Sequence, residues 1–130
     1  MMRRFRNAVV IGSALVLASC SPPEIQISVG RVNGLNIVTL SQDWGVVFSD
    51  KKPPCLDRIE LRKVTSGDKD RSPVWLVQAN TEACVDVGRF ALGKVPSGFR
   101  EVTPMTTEPR GRFELAVWGV GAGWKQFALN

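Results

Sequence analysis

The chain has 130 residues, seventeen of them lysine or arginine and twelve aspartate or glutamate, for a net charge of +5. Three of the bases, Arg3, Arg4 and Arg6, and none of the acids fall in the first nineteen residues, so the remaining 111 carry only +2. With no dense basic patch and no histidine or tyrosine anywhere, nucleic acid is excluded as the expected partner, and the commonest general base and metal ligand are missing.

The chain opens with the three arginines, followed by Ala8 to Ser19, twelve small or apolar residues. A helix of that length cannot cross a hydrocarbon core of ~30 Å, which needs about 20 residues. Its flanks fit the apolar part of a secretory signal that ends on small residues at a cleavage site. Residues 1–19 are therefore read as a signal peptide, with an ordinary cleavage site near an ordinary cysteine and an uncleaved anchor as the competing readings.

Leu17-Ala18-Ser19-Cys20 resembles the lipobox of bacterial lipoproteins. The resemblance covers residues 1–20 and implies that cleavage leaves Cys20 as the first residue, carrying a thioether-linked diacylglycerol and an amide-linked acyl chain such as palmitate. More than one chain makes a stable anchor at roughly 0.8 kcal/mol per buried methylene. In that class an aspartate after the cysteine favours inner-membrane retention. Ser21 stands there instead, so the resemblance implies the outer membrane, facing the periplasm.

Residues 20–24 would then be the lipidated cysteine and a short tether. Ser21 to Glu24 spans at most ~14 Å when extended, and Pro22-Pro23 stiffens it. The body of the protein, residues 25–130, should sit close to the bilayer.

After Glu24 the hydrophobic period is two. Ile25, Ile27 and Val29 alternate with polar residues, Asn33-Gly34 is a turn signal, and Leu35–Leu40 completes a predicted hairpin. Trp44 to Phe48 reads as a short third strand, with Trp44 in the core. Pro53-Pro54 ends pairing. Leu56 to Val64 alternates again: Ile59 and Leu61 share the core face with Cys55, and Arg58, Glu60 and Arg62 face water. Thr65 to Pro73 is a polar loop.

Val74–Ala79, with Trp75 in the core, Cys84–Val87, Phe90–Leu92 and an edge strand at Phe99–Thr103 follow. Arg112–Val120 and Trp124–Leu129 form a terminal hairpin around a Gly121-Ala122-Gly123 loop. Its register places Phe113, Leu115, Val117, Phe127 and Leu129 on one apolar face. Trp118 and Trp124 lie on the other. Seven to nine short strands with frequent turns predict an all-β sandwich of immunoglobulin or fibronectin type, or a small barrel.

Cys55 and Cys84 form the one pair left after Cys20, and in an exported protein that reads as a disulfide. Closing such a loop stabilises the fold by about 3–4 kcal/mol in the chain-entropy model.

Other chemistry finds little support. Asp68-Lys69-Asp70 has the spacing that begins a calcium loop but lacks its further acids. Asp43 with Asp50, and Glu82 with Asp86, are loose carboxylate pairs. No histidine activates a serine or cysteine. The expectation is a non-enzyme with no cofactor, no metal and no catalytic residue and with an envelope protein partner; Trp118 and Trp124 are the candidate binding face, against the competing reading that both sheet faces are covered there or that the two tryptophans cap one end of the core. Oligomeric state is left open. A ligand-binding or enzyme-inhibitor lipoprotein of the same format is the alternative.

Overall fold

A computed structural model of the chain describes residues 21–64 and 72–130. The signal segment with Cys20, and the Asp68-Asp70 loop, lie outside those residues. Ten strands and no helix occur among the described residues. β1 (Ile25–Val32), β2 (Leu35–Asp43), β3 (Lys51–Lys52) and β7 (Arg89–Ala91) make a four-stranded antiparallel sheet. The second sheet runs β10 (Gly121–Leu129), β9 (Gly111–Gly119), β4 (Cys55–Lys63), β5 (Pro73–Ala79), β8 (Phe99–Thr103), with β6 (Val85–Asp86) added to β4. The sheets pack face to face and do not close into a barrel.

Alternation along the strands makes the core. Ile25 and Ile27 of β1, with Val38 and Leu40 of β2, face Ile59 and Leu61 of β4 and Leu115 and Val117 of β9, all buried. Each such side chain contributes roughly 1.5–3 kcal/mol when taken from water. Trp75 is fully buried, lies 6.0 Å from the Phe90 ring, and its indole N–H donates to Glu101 Oε2 at 3.0 Å. The large aromatic thus fills the core without leaving its one donor unmade.

The first hairpin forms as predicted, turning at Asn33 and Gly34 with Val32 opposite Leu35. The Cys55–Cys84 disulfide is present, with Cα atoms 5.2 Å apart. It ties the start of β4 to the turn before β6. Phe99–Thr103 is the edge strand β8, as its sequence implied.

Four readings are corrected. The terminal hairpin turns at Gly119-Val120-Gly121 instead of closing around Gly121-Ala122-Gly123, so Trp118 pairs with Ala122 and Trp124 with Ala116. Gly123 is inside the strand because β1 crosses it there: any Cβ at Gly123 would overlap the Ile25 carbonyl oxygen. The inward and outward faces are unchanged, because the slip is an even number of residues.

In β4 a bulge between Leu56 and Arg58 resets the alternation. Leu56, fully buried, joins Ile59 and Leu61 in the core, and Cys55 does not. Glu60 was expected in water and is 1% exposed.

Trp44 to Phe48 is not a strand, and Trp44 is not core. Trp44 is 42% exposed, Val46 98%, Val47 84% and Phe48 84%. The reason lies one residue upstream. Asp43 Oδ1 accepts hydrogen bonds from the backbone N–H of Gly45 (3.0 Å) and Asp50 (2.8 Å), and Oδ2 accepts one from the Ser49 hydroxyl (2.9 Å). Trp44 N–H donates to the Asp50 carbonyl at 3.0 Å. A side chain that captures backbone donors in this way competes with sheet pairing, and it closes residues 44–50 into a projecting loop.

Candidate functional site: the outer face of the larger sheet

The outward residues of β10, β9, β4 and β5 follow from the pairings. Trp124 stands opposite Ala116, Ala116 opposite Glu60, and Glu60 opposite Leu76. One row along, Ala122, Trp118, Arg58 and Gln78 repeat the order. On the other side Gln126, Glu114 and Arg62 make a third row. Neighbouring strands are spaced about 4.8 Å apart, so the two tryptophans and the ion group share one compact patch.

Glu60 sits at its centre. Its Oε1 accepts from Arg62 Nε at 2.6 Å, and its Oε2 lies 3.2 Å from Arg58 Nη2. The arginines are two residues before and after it on the same strand, where a period of two puts all three side chains on one face. Glu60 is almost wholly buried while the Arg58 and Arg62 side chains are 41% and 35% exposed. The two arginine side chains flank the carboxylate and stay partly at the surface, although Arg58 Nε is itself buried.

Arg58 also lies over the Trp118 ring, its Cζ 5.4 Å from the centroid. That cation–π contact contributes about 0.5–1 kcal/mol at a partly exposed site and holds Trp118 half-covered. Gln126 Nε2 donates to Glu114 Oε2 at 3.2 Å along the rim.

Trp124 has no such cover. It is 65% exposed on β10, beside the small side chain of Ala116. A large indole over a shallow floor of alanine, next to fixed guanidinium groups, offers apolar area and directional donors together. That combination suits protein–protein contact, where tryptophan and arginine carry much of the affinity.

Both sequence-predicted tryptophans therefore lie on one face, as expected, with different exposures. Arg58, Glu60 and Arg62 were read as ordinary solvated charges. The sign that they act as a group was present in the Arg-x-Glu-x-Arg alternation, but burial of the middle residue depends on β5 and β9 lying on either side.

The other candidates separate. The Asp43 carboxylate is committed to its loop, and the N–H donors of Asp50 and Gly45 and the Ser49 hydroxyl hold its pKa below the ordinary value. It does not face Asp50 as an acid–base partner; the Asp50 carboxylate pairs with Lys52 at 3.4 Å. Glu82 and Asp86 are both exposed. Among the described residues, no three Cys, Asp or Glu side chains come together as metal ligands would. A cleft of about 580 Å³ opens at the far end of the sandwich between Lys63, Pro73, Met105 and Phe113, with Glu108 the acid among its lining residues.

No protein-family model, curated protein or solved structure matches this chain.

Proposed function

We propose that this chain is a lipid-anchored accessory protein of the cell envelope, which binds a protein partner through the outer face of its larger sheet. Its role is non-catalytic: it holds that partner close to the membrane. The anchor is Cys20, read from the lipobox resemblance, and the outer membrane facing the periplasm is the proposed site. The Cys55–Cys84 disulfide supports an oxidising compartment.

The observation that carries the binding role is Trp124. A tryptophan 65% exposed on a flat sheet face has no packing purpose in the isolated domain. Beside it, the Arg58–Glu60–Arg62 group presents donors whose positions are already set. A preorganised patch loses less side-chain freedom on association.

The test is crosslinking and recovery of the anchored protein from its native membranes. Recovery of one defined envelope partner is expected, with Trp124→Ala abolishing it and Ser28→Ala, on the outer face of the smaller sheet, leaving it intact. A partner retained by Trp124→Ala would remove this face from the account. Recovery of no partner would remove the accessory role.

A further inference from the structure

We infer that residues 44–50 form a membrane-inserting loop, with Trp44, Val46, Val47 and Phe48 entering the same bilayer that holds Cys20. The inference rests on the anchor reading for the position of the bilayer. It rests on the structure for the loop.

Three consecutive large apolar side chains, Val46, Val47 and Phe48, are between 84% and 98% exposed. Isolated exposed apolar residues are ordinary, but a contiguous group marks a surface that is covered by something else. The loop is not slack. Asp43 fixes its base by three accepted hydrogen bonds, and Trp44 N–H and the Asp50 carbonyl close it. The polar groups are consumed at the base and the apolar groups are held at the tip. The side chains of such a tip can reach the acyl-chain boundary while its backbone stays in the hydrated headgroup layer.

Its location selects the occupant. The loop leaves the end of β2, where Gln42 pairs with Ile25 at the start of β1. The buried Gln42 amide then donates from Nε2 to the Pro23 carbonyl at 2.8 Å and to the Val120 carbonyl at 2.7 Å. The tether, the loop base and the terminal hairpin tip are thus clamped together. From Pro23 only three residues lead back to Cys20, at most ~11 Å of chain. Any bilayer that receives acyl chains at Cys20 lies against this end of the sandwich. Val120, 44% exposed at the hairpin tip, adds to the same apolar end.

Charge does not drive the contact. Lys51 and Lys52 flank the loop, but Asp50, Glu24 and Glu82 lie at the same end. The association is apolar, and it should be as strong on neutral as on anionic lipid and insensitive to salt.

The experiment uses the full chain, oxidised, in membranes of the expressing cell and then in phosphatidylcholine vesicles. Phe48→Cys is labelled with a polarity-sensitive fluorophore, and Asn33→Cys, at the opposite end of β1, is the control. Both positions are exposed, and near-ultraviolet circular dichroism checks that each variant keeps the fold. With Cys55 and Cys84 bonded, one label per chain reports a blocked Cys20, and two labels report a free one.

The expected result is a blue-shifted label at position 48, quenched by nitroxide lipid and about tenfold less accessible to aqueous iodide than the label at 33. Val47→Asp should abolish that shielding. A membrane-bound protein whose label at 48 is as open to iodide as that at 33 overturns the loop inference and leaves the anchor standing. Two labels per chain on a soluble protein overturn both. Shielding without nitroxide quenching, accompanied by crosslinks to a second copy or another protein, also overturns lipid as the occupant.

Discussion

At one end of the sandwich the chain passes from β1 to β2 through Asn33 and Gly34, whose φ angles of 51° and 78° make the tight turn a twisted hairpin requires. The turn itself is set by these two residues, and the nearest tie from a distant segment is the Leu92 N–H, which donates to the Asn36 carbonyl at 2.9 Å. At the other end three distant segments meet. The Gln42 amide joins residues 19 and 78 positions away in the chain, the disulfide spans 29, and Asp43 braces a loop. An end that only turns the chain in water can be specified by two residues. An end that must expose apolar side chains, carry a tether and keep both in place needs bonds between segments.

The largest effect that tests this contrast is loss of the disulfide. Replacing both Cys55 and Cys84 by alanine should lower stability by about 3 kcal/mol, measured by urea unfolding. Hydrogen exchange should rise first at Val120, whose N–H donates to the Cys55 carbonyl, and should change little at Asn36, beside the local turn. Uniform acceleration at both ends would mean that the linkage stabilises the whole fold and not one end.

Gln42→Leu should follow, costing about 2 kcal/mol for two lost hydrogen bonds and the carbonyls left behind. Its signature is release of the tether, read as faster proteolysis near Pro23 with the core signals intact. If cleavage there is unchanged, the clamp is not what orders Pro22 and Pro23. Gly34→Ala probes the local end. No atom lies within 4 Å of the added Cβ, so its cost is the positive φ alone, about 1 kcal/mol, again by urea unfolding. A loss as large as that of Gln42→Leu would break the proposed difference between the ends.

The same contrast explains what could be read without coordinates. The first hairpin, the disulfide pair, the edge strand at Phe99–Thr103 and the two-faced terminal hairpin all announce themselves through neighbours in sequence: alternation, Asn-Gly, a compartment signal. The errors fall where something other than simple alternation decides: a crossing strand, a side chain that takes backbone donors, or a bulge. Gly121 and Gly123 look like a loop until β1 is known to cross at Gly123. Trp44 to Phe48 has the composition of a strand, and only the Asp43 side chain, by taking the backbone donors, makes it a loop. Leu56 replaces Cys55 in the core because of a bulge. Glu60 is buried because Arg58 and Arg62 flank it along its own strand while β5 and β9 lie on either side. At the binding face, Trp118 and Trp124 were legible from parity, but their unequal exposure was not: Arg58 covers one of them.

The smallest expected effect is also the most local. Asp43 has its pKa lowered from the ordinary 3.8, first by the Asp50 N–H, then by those of Gly45 and the Ser49 hydroxyl. A depressed carboxyl contributes stability that is fully present above its unfolded value and is lost as pH falls through its folded one. The window therefore lies below 3.8, and neutral or mildly acidic solutions should leave the loop intact. Asp43 is at the surface, so global unfolding is a poor reporter; the loop itself must be watched. A fluorophore on Phe48→Cys should keep a constant anisotropy from pH 7 down to about 4, then lose it as the carboxylate gains a proton and releases the two N–H groups. Asp43→Asn should show low anisotropy at every pH, because a neutral amide oxygen holds those donors more weakly. A label at Asn33→Cys should report neither change. If it moves with the loop, acid is loosening the whole sandwich, and the brace at Asp43 is not the part that gives way.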